Sequence, residues 1–179
     1  MIHNKVKVSK FLSFVLRHAP QNYGLILDRF GFAELRTILR VLKKRFPGLE
    51  DEDVKHVVMD DPKKRFQIAD QRIRARYGHS VNVEPLEECR NIPNILFHGT
   101  SPHSLDSIFR KGLVPEKRKF VHLSLSVEEA LKVGRRKNNN PVVLKVDTQR
   151  TSQDGLVFWK EANVYLTKTV APQYISVYK

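Results

Sequence analysis

The sequence predicts an α+β fold in two lobes. Three apolar stripes at helical spacing occupy the first sixty residues, and two short alternating segments rich in arginine follow them. Beyond residue 95, short apolar runs with turn residues between them recur to the end of the chain. Three helices followed by a basic hairpin describe an N-terminal winged-helix module, a scaffold that carries many functions. The second half describes a β-rich lobe. Residues 84–94, with Pro85 and Pro93 among polar side chains, read as a linker, which divides the chain into 1–88 and 89–179.

Val8, Phe11, Leu12, Val15 and Leu16 share one face of a helix over 8–16. Ser9, Ser13 and Arg17 fall on the other side, and Ala19-Pro20 ends the helix. A second helix is expected from Ala33 to Arg45 on Leu35, Ile38, Leu39 and Leu42, before Pro47-Gly48. A third is expected from Asp51 to Met59, opened by acidic residues that suit a helix N-terminus. Arg65-Phe66-Gln67-Ile68 and Arg72-Ile73-Arg74-Ala75-Arg76 alternate, so they predict a hairpin with one strongly basic face.

In the second half, Ile95–His98 and Phe120–Leu125 are strand candidates, and Ser104–Lys111 is a helix closed by Gly112. Ser126-Val127-Glu128-Glu129 is a capping-box pattern that opens a helix ending near Gly134. Further strands are expected at Pro141–Val146, Val157–Phe158, Val164–Leu166 and Tyr174–Tyr178.

Charge narrows the partner. The net +13 is shared between the halves, +6 over residues 1–90 (18 Lys and Arg against 12 Asp and Glu) and +7 over 91–179 (14 against 7). A field spread in this way attracts polyanions. A single cysteine, Cys89, excludes an internal disulfide framework and fits a reducing compartment, so a cytoplasmic protein is expected. No apolar run is long enough to span a bilayer, so no membrane association is expected. The histidines show no Cys-x-x-Cys or His-Glu-x-x-His spacing, and no metal site is expected. Gly-rich phosphate loops are absent too.

Four residues in distinctive contexts are the candidate chemistry: Arg17 and His18 in Leu16-Arg17-His18, Arg65 before Phe66, and Arg118 before Val121-His122-Leu123-Ser124. Three guanidiniums and an imidazole make a cage for a phosphate, because arginine's planar fork matches phosphate oxygens at any working pH. His98-Gly99-Thr100 stands beside them as a polar turn after Ile95-Leu96-Phe97. Each has an ordinary reading as well: a solvated arginine, a histidine capping a helix C-terminus, a core histidine at a strand end.

The order of these motifs resembles the RNA 2′-phosphotransferase family over nearly the whole chain. Its carriers are Ser9-Lys10, Leu12-Ser13, Leu16-Arg17-His18, Arg65-Phe66, Ile73-Arg74-Ala75, Gly78-His79-Ser80, His98-Gly99-Thr100, Gly112-Leu113, Val121-His122-Leu123-Ser124 and Val164-Tyr165-Leu166-Thr167. The resemblance implies a winged-helix lobe, a C-terminal lobe of the ADP-ribosyltransferase type, and an active site between them. It also implies a catalytic set of Arg17, His18, Arg65 and Arg118, and an NAD site using His98, Gly99, Thr100, Gly112, Leu113, His122 and Ser124. The implied reaction consumes NAD⁺ in two steps. An RNA 2′-phosphate displaces nicotinamide to give an RNA-phospho-ADP-ribose, and the ribose 2″-hydroxyl then attacks phosphorus. The products are 2′-OH RNA, ADP-ribose 1″,2″-cyclic phosphate and nicotinamide. RNA carrying a 2′-phosphate, tRNA foremost, is the implied partner, and a monomer is expected. His18 fits either acid–base catalysis or phosphate binding. Relatives that modify proteins carry a His-Tyr-Glu set; here the places fall on His98, His122 and Val164, with Glu161 nearby. The family's usual Gln before Gly-His-Ser is replaced by Tyr77, which could stack on a base.

Overall fold

A computed structural model describes residues 5–178, and the fold is α+β. The chain divides into two compact units, one ending at Leu86 and the other beginning at Glu87. The first unit is built from α1 (Lys5–Arg17), β1 (Phe32–Glu34), α2 (Leu35–Arg45), α3 (Asp51–Met59), β2 (Phe66–Ala69) and β3 (Arg72–Ala75). Val8, Leu12, Val15 and Leu16 of α1 are buried with Leu35, Ile38 and Leu42 of α2 and Val54, Val57 and Val58 of α3. The apolar stripes that predict these helices are the faces they bury. At the start of α3, the Glu50 N–H donates to Asp53 Oδ2 at 3.0 Å, which satisfies one of the open donors at a helix end.

Two expectations for this unit are corrected. The second helix starts at Leu35 rather than Ala33, because Phe32–Glu34 form a strand beside β3. Three residues leading straight into a helix, two of them (Ala33 and Glu34) poor strand formers, carry no periodicity of their own, so the strand is invisible to pattern. The hairpin also lacks a uniformly basic open face. β3 is the central strand of the order β1-β3-β2, and Arg74 is 1% exposed. Its guanidinium lies over the Phe32 ring, 5.3 Å from the centroid, and Nε donates to Gln67 Oε1 at 2.9 Å. Arg72 remains exposed at the hairpin end, paired with Asp28 at 3.1 Å. Asp70 and Gln71 both take positive φ, +48° and +58°, as a two-residue hairpin turn requires.

The second unit carries β4 (Ile95–Thr100), α4 (Leu105–Lys111), β5 (Val121–Ser124), α5 (Val127–Gly134), β6 (Val142–Asp147), α6 (Thr148–Gln153), β7 (Trp159–Glu161), β8 (Val164–Thr167) and β9 (Ile175–Val177). The strands form one antiparallel sheet in the order β7-β8-β5-β4-β6-β9. Leu96, Leu123, Leu144, Val146, Phe158 and Tyr165 lie in its core. Ser126 caps α5 by accepting from the Glu129 N–H at 3.2 Å. Two expectations shift and one element is new. The strand expected at Val157–Phe158 begins at Trp159, because Phe158 is spent on the core. The helix α6 has no apolar stripe (Thr-Gln-Arg-Thr-Ser-Gln) and is not anticipated. Part of the expected linker belongs to this unit, since the Cys89 N–H donates to the Phe158 carbonyl at 2.8 Å.

Gly99 fixes how α5 meets the sheet. A β-carbon there would stand 1.8 Å from the Ala130 carbonyl oxygen and 3.0 Å from the Gly134 nitrogen, both backbone atoms. Replacing Gly99 by Ala therefore has to push α5 off β4, at a cost of about 3 kcal/mol or more. Denaturant unfolding measures this, and an unchanged midpoint would mean α5 is not held against the strand.

Candidate active site

The candidate residues of the first unit meet at the end of α1. Arg17 is the last residue of that helix and His18 follows it, exposed. The segment Tyr77-Gly78-His79-Ser80 is wrapped around them. The Arg17 guanidinium carbon lies 5.1 Å from the centre of the Tyr77 ring, a cation–π placement. Gly78, at φ +90°, sits so close that a β-carbon would touch that guanidinium at 3.4 Å. The Ser80 N–H donates to the Arg17 carbonyl at 3.0 Å. Ser80 Oγ donates to the same carbonyl at 3.3 Å and lies 3.0 Å from His18 Nδ1. With the single hydroxyl hydrogen directed at the carbonyl, His18 Nδ1 is the donor to Ser80.

Arg65 joins this neighbourhood through the same segment. Its carbonyl accepts from the Arg76 N–H at 2.8 Å, and the Tyr77 hydroxyl donates to the Lys63 carbonyl at 3.0 Å. Asp61, whose side chain is 1% exposed, orients it. Asp61 accepts from Arg65 Nε at 3.0 Å, from Nη2 at 2.9 Å and from the backbone N–H at 2.6 Å. Burial raises the Asp61 pKa, and the hydrogen bonds and charge of Arg65 outweigh it, holding the carboxyl below its ordinary value. Sequence reasoning missed Asp61, because Asp60-Asp61-Pro62 reads only as a break.

His79 lies behind this group, 6% exposed, and its Nε2 accepts no hydrogen bond among the described residues. Burial first, and then the positive charges of Arg17, Arg74 and His18, push its pKa down to about 3. A neutral ring here adds no further charge beside Arg17. The shift has a consequence for stability. Below about pH 6.5 an unfolded chain protonates this histidine while the folded one does not, so the folded state loses about 1.4 kcal/mol per pH unit until the pH nears the folded value. Above that window the penalty is absent. The unfolding free energy should fall between pH 6.5 and 5.0 by about 2 kcal/mol more for the unaltered protein than for His79→Gln. Equal slopes would place the acid sensitivity elsewhere.

In the second unit, His98 and His122 lie on neighbouring strands that barely pair. The only register between β4 and β5 is Phe97 opposite Ser124. Beyond it, a side chain takes over from the ladder: His98 Nδ1 donates to the His122 carbonyl at 3.0 Å. His122 Nδ1 in turn donates to the Phe120 carbonyl at 2.9 Å. Both rings thus carry a proton on Nδ1. Burial chiefly lowers the His98 pKa, which keeps the ring neutral. Thr100 is buried at the end of β4, and Ser124 is half-buried at the end of β5.

Gly112 ends α4 at φ +83°, where a β-carbon would stand 2.1 Å from the Val170 carbonyl oxygen. Leu113 is buried, and its N–H and carbonyl both pair with Val170, at 2.8 and 2.9 Å. Arg118 is exposed on the segment between α4 and β5. Two residues before it, Glu116 pairs with Lys137 at 2.9 Å. Glu161 is 2% exposed and stands opposite Val164 across the β7–β8 hairpin. Among the described residues, no cluster of His, Cys, Asp and Glu could hold a metal ion, and no helix is long and apolar enough to cross a membrane.

Comparison with known proteins supplies the class. Residues 3–169 match the family described as RNA 2′-phosphotransferase, Tpt1 / KptA family. The chain is 43% identical over 175 residues to "Probable RNA 2′-phosphotransferase 2" of Archaeoglobus fulgidus, covering 97% of this chain and 81% of that one. It is 38% identical to "Probable RNA 2′-phosphotransferase" of Thermococcus kodakarensis, covering 96% of each, and 42% identical to a protein of the same name from Acaryochloris marina, covering 93% of each. The chain belongs to the RNA 2′-phosphotransferase family, enzymes that remove a 2′-phosphate from RNA.

Proposed function

We propose that this enzyme consumes NAD⁺ to remove an internal 2′-phosphate from RNA, with tRNA as the natural source of that phosphate. The observation that carries this reading is the wrapping of Arg17 and His18 by Tyr77–Ser80, which orders a half-buried guanidinium and an exposed imidazole for an anion. The first unit reads as a winged-helix module and the second as an ADP-ribosyltransferase-type lobe. Catalysis is assigned to Arg17, His18, Arg65 and Arg118. NAD⁺ recognition is assigned to His98, Gly99, Thr100, Gly112, Leu113, His122 and Ser124.

The donor set of the second unit suits such a ligand. His98, kept neutral by burial and with Nδ1 committed to the His122 carbonyl, offers Nε2 as an acceptor for a ribose hydroxyl. When bound, NAD⁺ supplies an electrophilic ribose carbon with nicotinamide as its leaving group. The RNA 2′-phosphate is already an anionic nucleophile, so no glutamate is needed to activate it, in keeping with valine at position 164. Arg17 and Arg65 hold the phosphate oxygens, and His18, fixed through Ser80, donates to them from Nε2 when its ring is protonated. Arg118 stabilises the negative charge on the phosphoryl oxygens during attack at phosphorus. The test is incubation with a short, internally 2′-phosphorylated RNA, with and without NAD⁺. NAD-dependent release of ADP-ribose cyclic phosphate and 2′-OH RNA is expected; dephosphorylation without NAD⁺, or RNA binding with no turnover, would overturn the reading.

A further inference from the structure

One face of α1 is buried in the core of the first unit, yet Phe14 of the same helix is 45% exposed. It is the one exposed aromatic side chain among the described residues of that unit. A single exposed apolar residue is ordinary. What surrounds Phe14 is not. His18 lies one helical turn further on, with ring centroids 6.3 Å apart and planes at 44°. The Tyr23 ring also meets it edge-on, at 6.4 Å and 86°. Tyr23 meets Phe11 at 5.3 Å and 90°, and Phe11 meets Phe46 at 5.8 Å and 79°. A line of edge-to-face rings thus runs from the core outward and stops at an open ring beside His18. Such contacts fix the plane of Phe14 although much of it faces water.

Nucleotide chemistry suggests what lies on that plane. In a 2′-phosphorylated nucleotide the phosphate is on C2′ and the base on C1′, the carbon bonded to it. A phosphate held at Arg17 and His18 therefore brings its own base within a few ångströms of them. Bases that leave the helical stack are recognised by stacking on aromatic side chains, and every base offers a π-face. We propose that Phe14 is the stacking platform for the base of the nucleotide that bears the 2′-phosphate. The proposal rests on the phosphate site assigned above. A phenyl ring has no hydrogen-bonding group, so this platform accepts all four bases alike.

The experiment compares two short 2′-phosphorylated RNAs, one intact and one with an abasic ribose at the phosphorylated position, binding being measured without NAD⁺. Phe14→Ala should weaken binding of the intact RNA roughly tenfold and leave the abasic RNA unchanged. Phe14→Leu, which keeps apolar bulk without a π-face, should behave like Phe14→Ala. Phe14→Trp should retain affinity, and its indole fluorescence should be quenched by the intact RNA alone. With NAD⁺ present the alanine variant should show a raised KM and an unaltered kcat. A loss that is equal for the two RNAs, or absent for both, overturns the stacking proposal. If the unaltered protein binds RNA equally well with and without its 2′-phosphate, the phosphate site itself is overturned, and the platform with it.

Discussion

Arg17→Lys should lower kcat/KM on a 2′-phosphorylated RNA by at least about 10²-fold while the protein stays folded. The positive charge survives this change, so the loss isolates shape. Arginine offers a planar fork to two phosphate oxygens, and its flat cation also lies over the Tyr77 ring at 5.1 Å and against the bare α-carbon of Gly78. An ammonium group reproduces neither the fork nor the flat stacking surface. Steady-state kinetics on both forms, with unfolding curves as the control, decide the matter. Near-normal turnover would leave Arg17 a packing residue only.

Arg118→Ala should produce the other large effect, of a different kind. The second chemical step should slow by about 10²–10³-fold and the first much less, so phospho-ADP-ribosylated RNA accumulates. Lys117 and Lys119 flank the position, and the bulk positive field of this segment outlasts the substitution. A selective block would therefore report a directed hydrogen-bonding role for Arg118 rather than general attraction. Gel resolution of a single-turnover reaction separates the two species. Equal slowing of both steps would sink the assignment.

Patterning made most of the elements readable, and the reason is burial. The stripes of α1, α2 and α3 face one core, and each of these helices sits where its apolar periodicity requires. The Ser126 cap was legible for a similarly local reason, since a helix start is written in adjacent residues. What escaped reading depends on neighbours distant in sequence. Arg74 looks like a surface charge until β1 covers it with Phe32. Asp61 looks like a turn residue until Arg65 folds back onto it. The motifs around Arg17, His18, His98 and His122 identified the candidate residues, but the Ser80 bridge and the single paired position between β4 and β5 emerge only in three dimensions.

The Asp61–Arg65 pair has an implication for descent. Asp61 occupies Nε and Nη2, so only part of the guanidinium remains for a ligand, and that part is aimed by a buried carboxylate. A lineage that lost the carboxylate first would leave the arginine without its guide. One that lost the arginine first would strand a buried negative charge, which is strongly destabilising. Neither single step is easy, so positions 61 and 65 should be inherited together, and natural variation at one should be accompanied by variation at the other.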